Sequence, residues 1–395
     1  MNAKNDAILE VASLDWQSLL KRSFSPSPMA WEEQVFYFLL VDRFSDGNER
    51  DYRDNSGDLV DTGTTPLLQR DGKNALPVLP PACLASWRKA GGGWCGGNLR
   101  GLTSKLGYLK RLGITTLWIS PILKQARYAA DSYHGYGVQN FLEIDPHFGS
   151  REDLVNLVET AHAMGMYVLL DVILNHTGDV FAYAEPQPEN WREAPYPVAG
   201  FRDAHGQPSL SFGPLGEEAD TEAGIWPREL QSSESFTCKG PIQDWEAFPE
   251  YEQGDFFGLK DLYLGKTEGD TFQPSSALLA LTEVYKYWIA VADLDGLRLD
   301  TVKHMPEGAV AYFVDQIHQF VGSIGKRNFY IVGEIVGERG YTSEKLHSTD
   351  MDAALGISEV PRKIRAIVEG QRRPADYFEI FANSKQEDDN APEPI

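Results

Sequence analysis

The stretch GLRLDTVKH, residues 296–304, follows a long amphipathic segment and decides how the chain folds. Between Ser275 and Asp293, Leu278, Leu281, Tyr285, Trp288 and Ala292 recur on one helical face, so a helix is predicted there and a strand over Gly296–Leu299. Side chains two apart on a strand share a face, so Arg298 and Asp300 point the same way. A guanidinium beside a carboxyl favours its charged form, and an ionised carboxylate is a usable nucleophile. Taken alone, this spacing is also that of an ordinary structural ion pair. The two readings separate only if other strand ends carry chemistry.

Two others do. FYIVGE, residues 329–334, is an apolar run that stops at Glu334, one predicted helix (Ala309–Ile324) further along the chain. MYVLLDVILNH, residues 166–176, is another, and it ends in Asp171, Asn175 and His176. Continuous Val/Ile/Leu runs are what buried parallel strands look like, and in a (β/α)8 barrel the C-terminal strand ends carry the chemistry. Glu334 by itself reads as a carboxylate at a helix N-terminus. Three such coincidences in one chain favour the barrel. Upstream, residues 96–122 read as a glycine turn, a helix over Leu102–Leu112 and a buried strand over Thr115–Ile119. With Gln34–Val41, Met166–Val172, Gly296–Leu299, Phe329–Val332 and Met351–Ile357, six strands are predicted.

DVILNH (171–176), GLRLDTVKH and IVGE (331–334), in this order and at these strand ends, resemble ordered sequence regions of the α-amylase family of glycoside hydrolases. The resemblance implies Asp300 as nucleophile, Glu334 as general acid/base and Arg298 as the cation that keeps Asp300 charged. It places Asp171, His176 and His304 in the subsite of the reacting glucose, with Lys303 on the next sugar of the leaving-group side. YHGY, residues 133–136, matches a family motif that adds His134 and Tyr136, the latter stacking on the sugar. A retaining glycosidase needs two carboxyls about 5 to 5.5 Å apart, one attacking and one protonating the leaving oxygen. Glu334 is accordingly expected to hold a proton near neutrality while Arg298 holds Asp300 ionised. The implied activity is retaining hydrolysis of α-1,4-glucans such as starch, maltooligosaccharides or glycogen, through a covalent glycosyl-enzyme. Transglycosylation, glucan binding without turnover and a purely interacting barrel are the alternatives.

The resemblance also implies calcium. SDGNERD, residues 45–51, offers Asp46, Asn48 and Asp51, and it resembles the N-terminal calcium loop of cyclodextrin glucanotransferases and related amylases. A later GGD supplies further ligands in those proteins. Here the position reads Gly96-Gly97-Asn98, which keeps an oxygen without the charge. An ordinary Asp/Gly/Asn turn explains the same residues. A second calcium is implied at Asn175 and the backbone of His304, with Asp261 of LKDLY (259–263) retained and Tyr263 standing where an aspartate is usual.

The fold class expected is α/β, a TIM (β/α)8-type barrel incomplete at its C-terminus, with an inserted domain B after strand three. Its parts are residues 1–176 (strands one to three), 177–265 (domain B), 266–385 (strands four to six) and 386–395, an acidic tail. In domain B, Trp191, Trp226 and Trp245 read as sugar-stacking platforms or as the lobe's own core. The family's strand-seven NHD-like segment, which carries a third carboxylate, is absent, and eight strands close a barrel. An open six-stranded sheet exposes two edges, so low stability alone and reduced activity are expected.

The net charge of −22 over 395 residues argues against nucleic acid and anionic membrane surfaces as partners, whereas a neutral polysaccharide is not repelled. No run of eighteen apolar residues and no leader-like apolar stretch occur, which suggests a cytoplasmic protein. Among the three cysteines, Cys83 and Cys95 pair or remain as thiols, and Cys238 is left over.

Overall fold

The structure is a computed structural model that describes residues 8–64, 91–216 and 218–380. Cys83 and the acidic tail lie outside the described residues. Six parallel strands lie side by side in chain order: β1 (Phe36–Leu39), β2 (Thr116–Ile119), β3 (Tyr167–Val172), β4 (Gly296–Leu299), β5 (Tyr330–Gly337) and β6 (Ala353–Ile357). The connections carry helices: α1 (Leu99–Ser104) and α2 (Leu106–Leu112) before β2, α3 (Arg151–Ala163) before β3, α4 (Ser276–Ala292) before β4, α5 (Glu307–Ser323) before β5 and α6 (Arg339–Thr349) before β6. A seventh, α7 (Glu359–Val368), follows β6. This is the winding of a (β/α) barrel over six of its eight strands. Among the described residues β1 and β6 have no strand on their outer sides.

Three predicted elements differ in detail. The helix expected over 102–112 is two helices that meet at Lys105, whose ammonium turns inward to Glu49 at 2.9 Å. The first strand is shorter than expected, because Val41–Phe44 winds into a helical turn. β5 is longer, so Glu334 lies within the strand, at a register shift against β6 between Glu334 and Gly337. Such a bulge re-aims a side chain.

Two apolar layers hold the sheet. Outside, α4 buries Leu278, Leu281, Tyr285 and Trp288, the face read from its periodicity. Inside, Leu169, Tyr330, Val332 and Ala353 meet Trp31, which closes the N-terminal end of the strands. Trp31 stacks on Tyr330 with ring centres 4.8 Å apart and donates its indole N–H to the Asn328 carbonyl at 2.7 Å. On the open side Phe38 remains 42% exposed, resting on Trp118. A buried charge network sits at the same N-terminal end: Lys326 donates to Asp293 and Asp295, and His162 lies 2.8 Å from Asp295. Charges at that end of a barrel serve stability rather than chemistry.

After β3 the chain leaves the sheet. The bridge His176–Thr177 pairs antiparallel with Lys260–Asp261, and Phe181–Tyr183 pairs with Val198–Phe201. Phe181, Phe201, Phe212 and Phe236 form the aromatic centre of this lobe. Trp226 is fully buried, with its indole N–H on the Ala223 carbonyl, so it is core. Trp191 and Trp245 are half-buried. No helix among the described residues is long and apolar enough to cross a membrane.

Lys326→Met leaves Asp293 and Asp295 facing each other without their cation. Denaturant unfolding is expected to show a loss of about 3–5 kcal/mol; a change below about 1 kcal/mol would contradict the network's role.

Candidate active site

Arg298 and Asp171 are register partners on β4 and β3, so their side chains meet inside the barrel. Arg298 Nη1 donates to Asp171 Oδ1 at 2.8 Å and to Asp300 Oδ1 at 2.6 Å, and Nη2 lies 3.0 Å from Glu334 Oε2. One buried guanidinium thus gathers three carboxylates from three strands. It lies over the Trp118 ring, 5.2 Å from the ring centre. Asp300 stands just past β4, its N–H on the Val172 carbonyl. Thr301 adopts a left-handed conformation (φ 49°), and its N–H donates to Glu334 Oε2 at 3.1 Å. That short strained turn sets Asp300 and Glu334 side by side.

Asp171 is only 2% exposed, and its oxygens are taken by Arg298, by the Trp118 indole (3.0 Å) and by the Tyr136 hydroxyl (3.0 Å). Both oxygens of this residue, expected to meet the sugar, are thus already bonded within the protein. Burial pushes its carboxyl up to about 7 against the pull of Arg298. Asp300 also differs from expectation. Burial raises its carboxyl, and the Arg298 guanidinium only partly offsets this, because one cation is divided among three acids.

The histidines behave as neutral hydrogen-bonding groups. His176 is 2% exposed, stacks on Phe256, and its Nε2 finds no partner among the described residues; burial pushes it down to about 3. His134 accepts the Tyr136 N–H on Nδ1 at 3.0 Å, which leaves the proton on Nε2. His304 Nδ1 lies 2.7 Å from the Tyr251 carbonyl and is therefore the protonated nitrogen. Burial lowers both rings. Lys303 reaches Glu246 at 2.6 Å. Of the aromatics of the inserted lobe that gather here, the sequence pointed to Trp245, whereas Phe256 and Phe257 were missed. Phe256 and Trp245 have ring centres 4.5 and 5.7 Å from that of His304, and Phe257 beside them is 81% exposed. The run DFFG before LKDLY was the available signal, but aromatic pairs read equally as lobe core. Trp118 went unnoticed inside an apolar strand.

The two expected calcium positions differ. Asp46, Asn48 and Asn98 line one cavity of about 600 Å³ with His147, Ser150 and Asp153, but Asp51 does not join them. Its side chain is more than half exposed, beside Arg50, and Asn98 Oδ1 already accepts the Gly101 N–H. The expected ligand set does not converge, and the described residues contain no trio of His, Cys, Asp or Glu able to hold a metal. Asp261, by contrast, is 1% exposed with one oxygen unpartnered, and burial holds its carboxyl well above the usual range. It lies opposite His176 in the short bridge, and the next residue's N–H meets the Asn175 carbonyl. A buried carboxylate with one unpartnered oxygen fits a calcium ion.

The shift of His176 fixes a pH dependence. Between about 6.5 and 3 the unfolded chain binds a proton that the folded ring refuses, so stability falls as pH drops through this window. Relative to His176→Gln, wild type is expected to lose up to about 1.4 kcal/mol per pH unit on acidification. Parallel pH-dependent unfolding curves for the two chains would contradict it.

Residues 38–208 match the family described as alpha amylase, catalytic domain. An α-amylase of Streptomyces lividans is 31% identical over 269 residues, covering 61% of this chain and 27% of that protein. A cyclomaltodextrin glucanotransferase of Klebsiella oxytoca is 28% identical over 330 residues, 82% of this chain and 41% of that one. The solved structure of an Anoxybacillus α-amylase superposes with a TM-score of 0.56 at 25% identity, covering 86% of this chain and 55% of the other. The chain spans between about a quarter and just over half the length of these relatives. With six strands in barrel order, and an arginine joining three strand-end carboxylates among them, the chain belongs to the α-amylase family.

Proposed function

We propose that this site cleaves α-1,4-glucosidic bonds with retention of configuration. The observation that carries the reading is the placement of Asp300 and Glu334 on the two terminal nitrogens of Arg298. In the first step an Asp300 oxygen attacks the anomeric carbon as Glu334 protonates the departing glycosidic oxygen. In the second, Glu334 takes a proton from water, which displaces Asp300. Arg298 holds the attacking carboxylate in place, and Asp171, clamped by Trp118 and Tyr136, holds Arg298. The unpartnered Nε2 of His176, with the Nε2 atoms of His134 and His304, suits sugar hydroxyls, because burial keeps all three rings neutral. The Tyr136 ring offers an apolar face to the reacting sugar, and Lys303 exchanges Glu246 for a hydroxyl of the next one.

Calcium at Asn175, Asp261 and the His304 backbone would neutralise the buried Asp261 and fasten the inserted lobe to the barrel. The fit of Asp261 supports that position.

A second reading, glucan binding without turnover, is favoured by the open side of the sheet, where among the described residues β6 and β1 have no outer partner and Phe38 is exposed. Reducing-sugar release from soluble starch decides between them. Turnover that falls about 10⁴-fold in both Asp300→Asn and Glu334→Gln supports hydrolysis. A cooperatively melting chain that binds maltooligosaccharides but releases no sugar supports the second.

A further inference from the structure

The loop that resembles a calcium loop is already closed by the protein's own groups. The Asp42 carbonyl accepts the Gly97 N–H at 2.8 Å, and the Ser45 carbonyl accepts the Asn98 N–H at 2.9 Å. The buried Asp42 carboxylate accepts the N–H groups of Cys95 and Gly96. A methyl group on Gly97 or Gly101 would collide with the carbonyls of Val41 and Ser45, so the two segments touch backbone to backbone.

Asn98 is the centre of this contact. Its Oδ1 accepts the Gly101 N–H at 2.8 Å as the N-cap of α1, and that donor fixes which way the amide faces. Its Nδ2 must then point the other way, where it donates to the carbonyls of Asp46 (3.2 Å) and Gly96 (3.3 Å). The Asp46 carbonyl also receives Asn48 Nδ2 at 3.4 Å, and Asp46 Oδ1 receives the Asn48 N–H at 2.8 Å. Below, the Lys105 ammonium, 8% exposed, pairs with Glu49 at 2.9 Å and lies over the Tyr52 ring; Glu49 accepts in turn from Ser45 Oγ and the Asp46 N–H.

We propose that the Asn98 amide, backed by the Lys105–Glu49 pair, takes the place of a divalent cation in this loop. An amide N–H₂ draws two carbonyl oxygens together much as a cation does, with hydrogen bonds instead of ligation. Aspartate at position 98 would present an anionic oxygen to those same carbonyls. That arrangement repels unless a cation lies between them. The NH₂ of one side chain therefore separates a metal-free loop from a metal-dependent one, independently of whether the chain hydrolyses glucans.

Equilibrium dialysis against radioactive calcium, together with thermal melts in chelator and in millimolar calcium, tests this on the full chain. Wild type and Asp46→Asn are expected to bind the same number of ions, since the loop contributes none. Asn98→Asp is expected to bind one more per chain and to melt below wild type in chelator, recovering when calcium is added. Folding of Asn98→Asp only in calcium gives the same answer. Loss of one bound ion in Asp46→Asn, or no gain in a folded Asn98→Asp, overturns the proposal. If Asn98→Asp folds under neither condition, the comparison of wild type with Asp46→Asn still decides.

Discussion

A single guanidinium organises the cleft. Arg298 is buried at the end of β4, and three strands deliver their carboxylates to it: Asp171 from β3, Asp300 from the turn after β4, Glu334 from β5. A buried cation without acids is costly, and so are buried acids without a cation. The strand register that brings Arg298 opposite Asp171 is therefore coupled to the proposed chemistry, and none of the three acids can be moved without disturbing the other two. Trp118 and Tyr136 complete the arrangement by occupying the far oxygen of Asp171, which leaves Asp300 and Glu334 as the acids presented toward the cleft.

The consequence for protonation is less simple than a nucleophile held low and an acid held high. One positive charge shared by three carboxylates in a desolvated site leaves a surplus of acid, and burial raises both Asp171 and Asp300. In the proposed reaction, a sugar bound across the site, and the positive charge that develops on its ring in the transition state, would relieve that surplus. Catalysis gains most from interactions that strengthen as the reaction proceeds.

Much of the barrel could be read from the chain because buried parallel strands must be apolar and the residues that end them must not. All six strands lie within a few residues of where the apolar runs predict them, and Arg298, Asp300 and Glu334 meet at their ends. What escaped depends on contacts between distant segments. The position of Asp171 beneath Tyr136 follows from a loop 35 residues upstream folding over it. The packing of Phe256 and Phe257 with Trp245 beside His304 comes from a lobe whose short strands carry little periodicity. The break between α1 and α2 follows from Lys105 turning inward to Glu49, and the bulge in β5 from its pairing with β6. The calcium loop looked plausible as a string of oxygens, yet the direction of one amide, set by the Gly101 N–H, decides how those oxygens are used.

Asp300 is the proposed attacking group. Incubation with a fluorinated, activated maltosyl substrate that slows breakdown of a covalent intermediate, followed by peptide mass spectrometry, reads this directly. A maltosyl adduct on Asp300 is the expected result. An adduct on another carboxylate, or none in a folded chain that binds maltooligosaccharides, would contradict it.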